Sequence, residues 1–318
     1  MKVNRKTLHK HLLYTQWYLK LLVVLKSIRV KRGQTTLYRI LIIFIDSMKR
    51  NEIFTRSNGV AFNFTMAIFP TIIFTFTMIP YIHSLVPDID ESNIMEFLSQ
   101  VMPPAMFEVA SDTIHDIVSN KRQGLLSFGA LFALVLATNG MSGLMNAFNS
   151  CYKTNENRGF FRTRLIATAL TIILAFVVFL AIILLVIGQA LINYFFSFGL
   201  MTEDLTYYVI IFMRFLVVLV SFFIAVSLIY YFAPAIQERW RFFSPGAIMA
   251  ALACVAASFG FSFYINNFGT YNKLYGSLGM LIALMIWLYI LSAILLIGFE
   301  FNASVDRAAS SEGGDEDD

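Results

Sequence analysis

Charge is scarce in this chain. Only 14% of its 318 residues are Asp, Glu, Lys or Arg, where soluble domains carry about a quarter. Set against 58% hydrophobic residues and a mean hydropathy of +0.69, that scarcity excludes an ordinary soluble domain. Histidine is scarce too. His9 and His11 fall on one predicted face of a membrane and His83 and His115 on the other. A metal-dependent nuclease needs several His and carboxylate ligands converging on one site. Asp112, His115 and Asp116 read instead as the solvated face of an amphipathic helix. The two cysteines, Cys151 in a predicted loop and Cys254 in an apolar helix, lie at different levels, so no disulfide is expected. Neither has a base nearby, and both read as inert thiols. A phosphate-cradling Gly-rich loop is missing. The first 35 residues are too basic and too interrupted for a cleavable signal peptide. The reading is therefore of a protein that is not an enzyme, with no metal, cofactor or catalytic residue.

What the chain has in abundance is apolar runs, several longer than the roughly 18–20 residues that cross a bilayer. Six spans are predicted, at about 59–82, 124–148, 165–195, 206–232, 245–266 and 276–302. The fifth opens on Pro245, a residue suited to the first turn of a helix. The predicted fold is an all-α integral membrane protein: a six-helix bundle with interfacial amphipathic helices and a small helical outer cap. It divides into a basic cytoplasmic or interfacial segment (1–57), a membrane domain (58–304) with the cap at 83–123, and an acidic tail (305–318) expected to be disordered.

The basic residues orient the bundle. Thirteen Lys and Arg precede residue 57, and Lys153, Arg158, Arg162, Arg164, Arg239, Arg241 and Arg307 follow in alternate loops and the tail. The opposite face receives Lys121, Arg122 and Lys273. Twenty against three places both termini in the cytoplasm. The net charge of +4 reflects this topology and carries no expectation of nucleic-acid binding. Residues 8–28 could suggest a seventh span, but Lys20 would sit mid-bilayer at about 2.5–3.5 kcal/mol. An interfacial helix with Trp17 and Tyr18 at headgroup depth avoids that cost. Residues 36–53 repeat the pattern, with Leu37, Ile40, Leu41, Phe44, Ile45 and Met48 in one stripe. Both helices are expected on the cytoplasmic surface, held by apolar burial and anionic lipid.

The ordered motifs resemble the YihY/BrkB family of bacterial inner-membrane proteins, formerly labelled ribonuclease BN. Residues Gly59 to Pro70 (GVAFNFTMAIFP) are similar to its first helix. Gly124-Leu125-Leu126-Ser127 leads to Ala147-Phe148-Asn149 and a loop with Arg158 and Phe161. Phe232-Ala233-Pro234, Trp240 and Pro245-Gly246-Ala247 follow. The strongest match runs from Tyr275-Gly276-Ser277-Leu278-Gly279 through Trp287-Leu288-Tyr289 to Gly298-Phe299-Glu300-Phe301-Asn302-Ala303. The resemblance covers about residues 37–305. It implies six helices in the inner membrane, an activity that is unsettled, and envelope lipid transport as one proposal among several.

Polar residues inside the spans are the candidate sites. Arg214 lies about two turns inside the fourth span, where an ionisable side chain is either functional or snorkelling to headgroups. Asn139, Ser142 and Asn146 share a face of the second span and read either as a seam lining a path or as inter-helix glue, with Gly140 and Gly143 allowing close approach. Asn63 and Pro70 mark the first span, and Pro70 removes a helix hydrogen bond near mid-membrane. Tyr275 flanks the last outer loop, and Tyr289 is deep enough to need a partner within the bundle. Glu300 ends the sixth span and is expected to pair with Arg239, Arg241 or an N-terminal basic residue.

Beside an RNA-processing enzyme, which the dispersed histidines and the missing Gly-rich loop disfavour, two functional readings follow. One is transport or export of a lipid or other amphiphile, with Arg214 attracting a phosphate. The other is a non-transporting scaffold that recruits partners through its basic N-terminal helices or acidic tail. The expected partners are membrane lipids, anionic at the cytoplasmic face, and no nucleic acid.

Overall fold

A computed structural model describes residues 16–30, 35–50, 52–83, 95, 111–112, 115–116, 123–152, 154, 158–197, 203–236, 242–267 and 277–313. Its elements are α1 (Gln16–Ser27), β1 (Arg29–Val30), β2 (Thr35–Thr36), α2 (Leu37–Arg50), α3 (Ile53–His83), α4 (Gln123–Tyr152), α5 (Phe160–Ser197), α6 (Glu203–Phe232), α7 (Pro245–Asn267) and α8 (Ser277–Gly313). The helices α3 to α8 are the six long enough and apolar enough to cross a membrane. Each is apolar around most of its circumference, as a helix in hydrocarbon must be. The fold is thus an all-α membrane bundle. The two-residue strands pair antiparallel, Arg29 with Thr36 and Val30 with Thr35, and fold α1 back beside α2. Most of the cap expected at 83–123 lies outside the described residues.

Short connections between the helices from α4 to α8 favour antiparallel neighbours. Helices α3 to α8 pack in chain order, and α8 closes the ring on α3 while also touching α4. The main core sits at one end of this ring, where α3, α5 and α7 begin and α4, α6 and α8 finish. It gathers Ile53, Met145, Phe148, Leu170, Tyr230 and Phe299. At its centre Phe148 stacks on Phe299 at 4.2 Å, and Tyr230 meets both rings edge-on. Away from this core end the helices expose their bulk. From Thr171 to Gly188 on α5, and from Tyr208 to Ala225 on α6, no described side chain is fully buried. Such faces, studded with exposed Phe176, Phe179 and Phe212, suit lipid and not water.

Small residues set the closest crossings. A β-carbon on Gly246 of α7 would overlap the carbonyl oxygen of Gly298 on α8. One on Gly298 would lie 2.7 Å from the Ala250 methyl and 2.5 Å from the Tyr230 hydroxyl. On the other side of the ring, Gly140 of α4 leaves room for the Phe64 ring, and Gly143 for the Asn63 amide.

Two expectations change here. Cys151 is not in a loop: α4 continues to Tyr152, and Cys151 is buried in the core. The tail expected to be disordered from residue 305 is helical to Gly313. Its Val305 and Ala308 pack against Ile40, with Ile43 and Phe301 beside them, and Phe44 meets Phe301 edge-on at 5.6 Å. The amphipathic stripe of α2 supplies the partner face that composition alone does not reveal. Residues 314–318 lie outside the described residues.

Candidate functional site

Helix ends leave backbone donors and acceptors unsatisfied, and in a membrane bundle other side chains must meet them. At the core end three such ends are capped from a different element. The start of α7 is the first. Ser244 is its N-cap, its Oγ accepting from the Ala247 amide at 3.3 Å, with Pro245 at the first helical position. The next amide, Gly246 N–H, donates to Asn302 Oδ1 of α8 at 2.7 Å, and Asn302 Nδ2 donates to Ser244 Oγ at 2.8 Å. The end of α6 is the second. Arg158 donates to the Ala233 carbonyl at 2.9 Å, a cation at the negative end of a helix dipole. Beside it the Ala235 amide donates to Asn149 Oδ1 at 2.8 Å. The end of α4 is the third, where Arg307 Nη2 donates to the Cys151 carbonyl at 2.6 Å.

Arg307 does more than cap. Its Nη1 donates to Glu300 Oε1 at 2.7 Å and to Ser47 Oγ at 2.8 Å. Glu300 is wholly buried and Arg307 is 29% exposed. One residue earlier, Asp306 accepts from the Tyr152 hydroxyl at 3.2 Å. This polar hub binds α2, α4 and α8 together, and Asn302 ties α7 to α8 separately. Among the described residues Glu300 pairs with Arg307, two turns along the same helix, a partner not among those expected for it. Arg239 and Arg241 lie outside the described residues. The i, i+7 spacing was the available signal, since it puts the two side chains on one face.

The other sequence candidates are dispersed. Asn139 Oδ1 accepts from Arg164 Nη1 at 2.6 Å, tying α4 to α5 near the core end. Ser142 is half-buried and Asn146 is exposed, so the three do not line one enclosed surface. Asn63 is half-buried beside Gly143. Pro70 is buried, and α3 runs through it as one helix from Ile53 to His83. Tyr289 is half-buried, and Tyr275 lies outside the described residues. Nearby on α8, Trp287 stacks on Phe261 at 5.7 Å, and its Nε1 has no hydrogen-bond partner among the described residues. Among the described residues no three His, Cys, Asp or Glu gather as a metal site.

Arg214 stands apart from the hub, on the exposed stretch of α6. From Leu205 to Phe232 it is the only charged residue, and α5 has none from Leu165 to Ser197. Its side chain is exposed. It borders a cleft of about 20 Å³ between α5 and α6, walled by Leu184, Gly188, Ile210, Met213 and Val217.

These features have relatives. The sequence profile of the virulence factor BrkB family matches residues 44–318. The chain belongs to the BrkB family. Among BrkB-related proteins, the ribonuclease-like protein YfkH of Bacillus subtilis is 32% identical over 253 residues, 80% of this chain and 90% of its own length. A UPF0761 membrane protein of Alteromonas mediterranea is 26% identical over 271 residues, covering 84% of this chain and 87% of its own. A UPF0761 membrane protein of Tolumonas auensis is 42% identical over 80 residues, 25% of this chain and 26% of its own. No solved structure matches this BrkB-family chain.

Proposed function

We propose that this BrkB-family protein binds and moves an amphiphile, a lipid with a phosphate headgroup, at the α5–α6 face of its bundle. The carrying observation is Arg214, an exposed guanidinium on an otherwise uncharged stretch of helix, beside a cleft between two helices that bury almost nothing along that stretch. A charged side chain at membrane depth is costly unless it meets water, a headgroup or a counter-charge, and such residues mark substrate paths. A guanidinium presents a planar fork of donors that matches a phosphate. Lipid can approach it sideways from the bilayer, since no buried side chain closes that stretch of α5 and α6. The surplus of Lys and Arg on one side supports the bacterial inner membrane with both termini in the cytoplasm, where basic residues meet anionic lipid. The reading assigns no catalytic step.

The test is reconstitution of the full chain in phospholipid vesicles containing a headgroup-labelled phosphatidylglycerol, following its transfer between leaflets. Wild-type protein accelerates transfer. Arg214→Ala loses most of the acceleration at equal amounts of inserted protein, and Arg214→Lys keeps a part. Full activity in Arg214→Ala removes Arg214 from the proposal. The paired hub favours a second reading, a scaffold: Asn139, Asn149, Glu300 and Asn302 all have protein partners. No transfer by the wild-type protein, with intact fold, would favour it.

A further inference from the structure

The turn between α2 and α3 holds an open cleft of about 480 Å³, lined by Ile45, Met48, Lys49, Glu52, Ile53 and Phe54. Its wall is mainly apolar, yet Ile45 and Phe54 are 52% and 55% exposed. Two opposite charges belong to the same lining. In one unbroken helix Lys49 and Glu52 would be i, i+3 neighbours able to pair. Here α2 stops at Arg50, and Glu52 takes a φ of 47°, the left-handed region that a residue with a β-carbon occupies only at a cost. Arg50 is already paired with Asp46. Among the described residues neither Lys49 nor Glu52 forms an ion pair. Backbone strain that separates two complementary charges beside an apolar cleft is the pattern of a binding site.

The position identifies the occupant. The first span is predicted from about residue 59, so the cleft at Ile53 lies about 9 Å of helix before it, at headgroup depth. An acyl chain matches the apolar wall, and the headgroup must satisfy one cation and one anion. A purely anionic lipid would set its charge against Glu52. The basic segment 1–15, with Lys2, Arg5, Lys6 and Lys10, shares the sign of Lys49 and is a poorer fit. We infer that the α2–α3 cleft binds a zwitterionic aminophospholipid of the surrounding bilayer. Its phosphate meets Lys49, its ammonium meets Glu52, and one chain lies along Ile45, Met48 and Phe54. This site is separate from Arg214 and stands or falls without it.

Native mass spectrometry of the full chain in mild detergent tests this, with phosphatidylethanolamine and phosphatidylglycerol added in equal amounts. The Arg214→Ala background keeps the other proposed site out of the reading. The expected result is retention of phosphatidylethanolamine over phosphatidylglycerol by about fivefold, the weight of one partly exposed charge pair. Glu52→Gln brings the two lipids to parity, and Lys49→Ala lowers retention of both. No preference in the parent protein overturns the inference, and so does a preference that survives Glu52→Gln. Lipid binding that appears only after removal of residues 1–15 overturns it too, by making that segment the occupant.

Discussion

The wholly buried Glu300 and the partly exposed Arg307 form an ion pair at 2.7 Å, two turns apart on one helix, and the same guanidinium reaches Ser47 and the Cys151 carbonyl. One side chain thus joins the amphipathic helix α2 to the end of α4. Its removal takes a guanidinium from the buried Glu300 carboxylate, and breaking a buried charge contact costs about 3–5 kcal/mol. Arg307→Ala is expected to destabilise the bundle by that amount in unfolding measurements on the detergent-solubilised protein. The double variant Glu300→Gln/Arg307→Gln should be milder, because no charge is then left alone. Equal loss in both would mean that packing, not charge, dominates at this place.

The crossing of α7 and α8 should be intolerant of a single methyl group. In Gly246→Ala the new β-carbon meets the backbone carbonyl of Gly298, which cannot rotate away. Overpacking of this kind costs about 3 kcal/mol. Gly188 and Gly260 have nothing within 4 Å of such a carbon, and Gly188→Ala or Gly260→Ala should leave stability unchanged. Comparing the yield of folded protein by size-exclusion chromatography separates the two classes.

Asn302 serves the start of α7 with both ends of its amide. Asn302→Leu strands the buried Gly246 amide, while Ser244 Oγ keeps its bond from the Ala247 amide, and a loss of about 2–3 kcal/mol is expected. Ser244→Ala removes the cap and one acceptor of the Asn302 amide and should cost about 1 kcal/mol. A reversed order in thermal unfolding would show that the cap, and not the α8 amide, holds this helix start.

The last turns of α8 should be needed to hold α2. Ending the chain at Ser304 deletes Val305 and Ala308 from their contact with Ile40, together with Arg307. Trypsin should then cut at Lys49 or Arg50 at least about tenfold faster, as a local unfolding equilibrium weakened by more than 1.4 kcal/mol requires. Removing only residues 314–318 should leave the cleavage rate as it was.

Much of the architecture was legible from residues alone. A bilayer demands about 20 apolar residues per crossing, and six runs meet that demand whatever packs against them. Gly140 and Gly143 announced a close approach, and Phe64 and Asn63 fill it. Pro245 announced a helix start, and Ser244 caps it. The site was less legible. Asn139, Ser142 and Asn146 share a nominal helix face, but α5 covers only part of it, so Asn139 is bonded while Asn146 is exposed. Arg307 entered the charge count as a marker of topology, and its role depends on α8 continuing past the span. That continuation depends in turn on α2, whose stripe offers Val305 and Ala308 something to bury against.

The amino-acid sequence by itself determined the six apolar helices, the one-sided excess of basic residues and the membership in the BrkB family. Each of these is written locally, in runs of side chains whose cost in water or in lipid depends little on distant neighbours. Only the tertiary structure decided which polar groups meet. Ser47 and Arg307 are 260 residues apart, Tyr152 and Asp306 are 154 apart, and Asn149 finds its donor 86 residues on. Those pairings follow from helix rotation and crossing, which small residues such as Gly246 and Gly298 permit but no local pattern specifies.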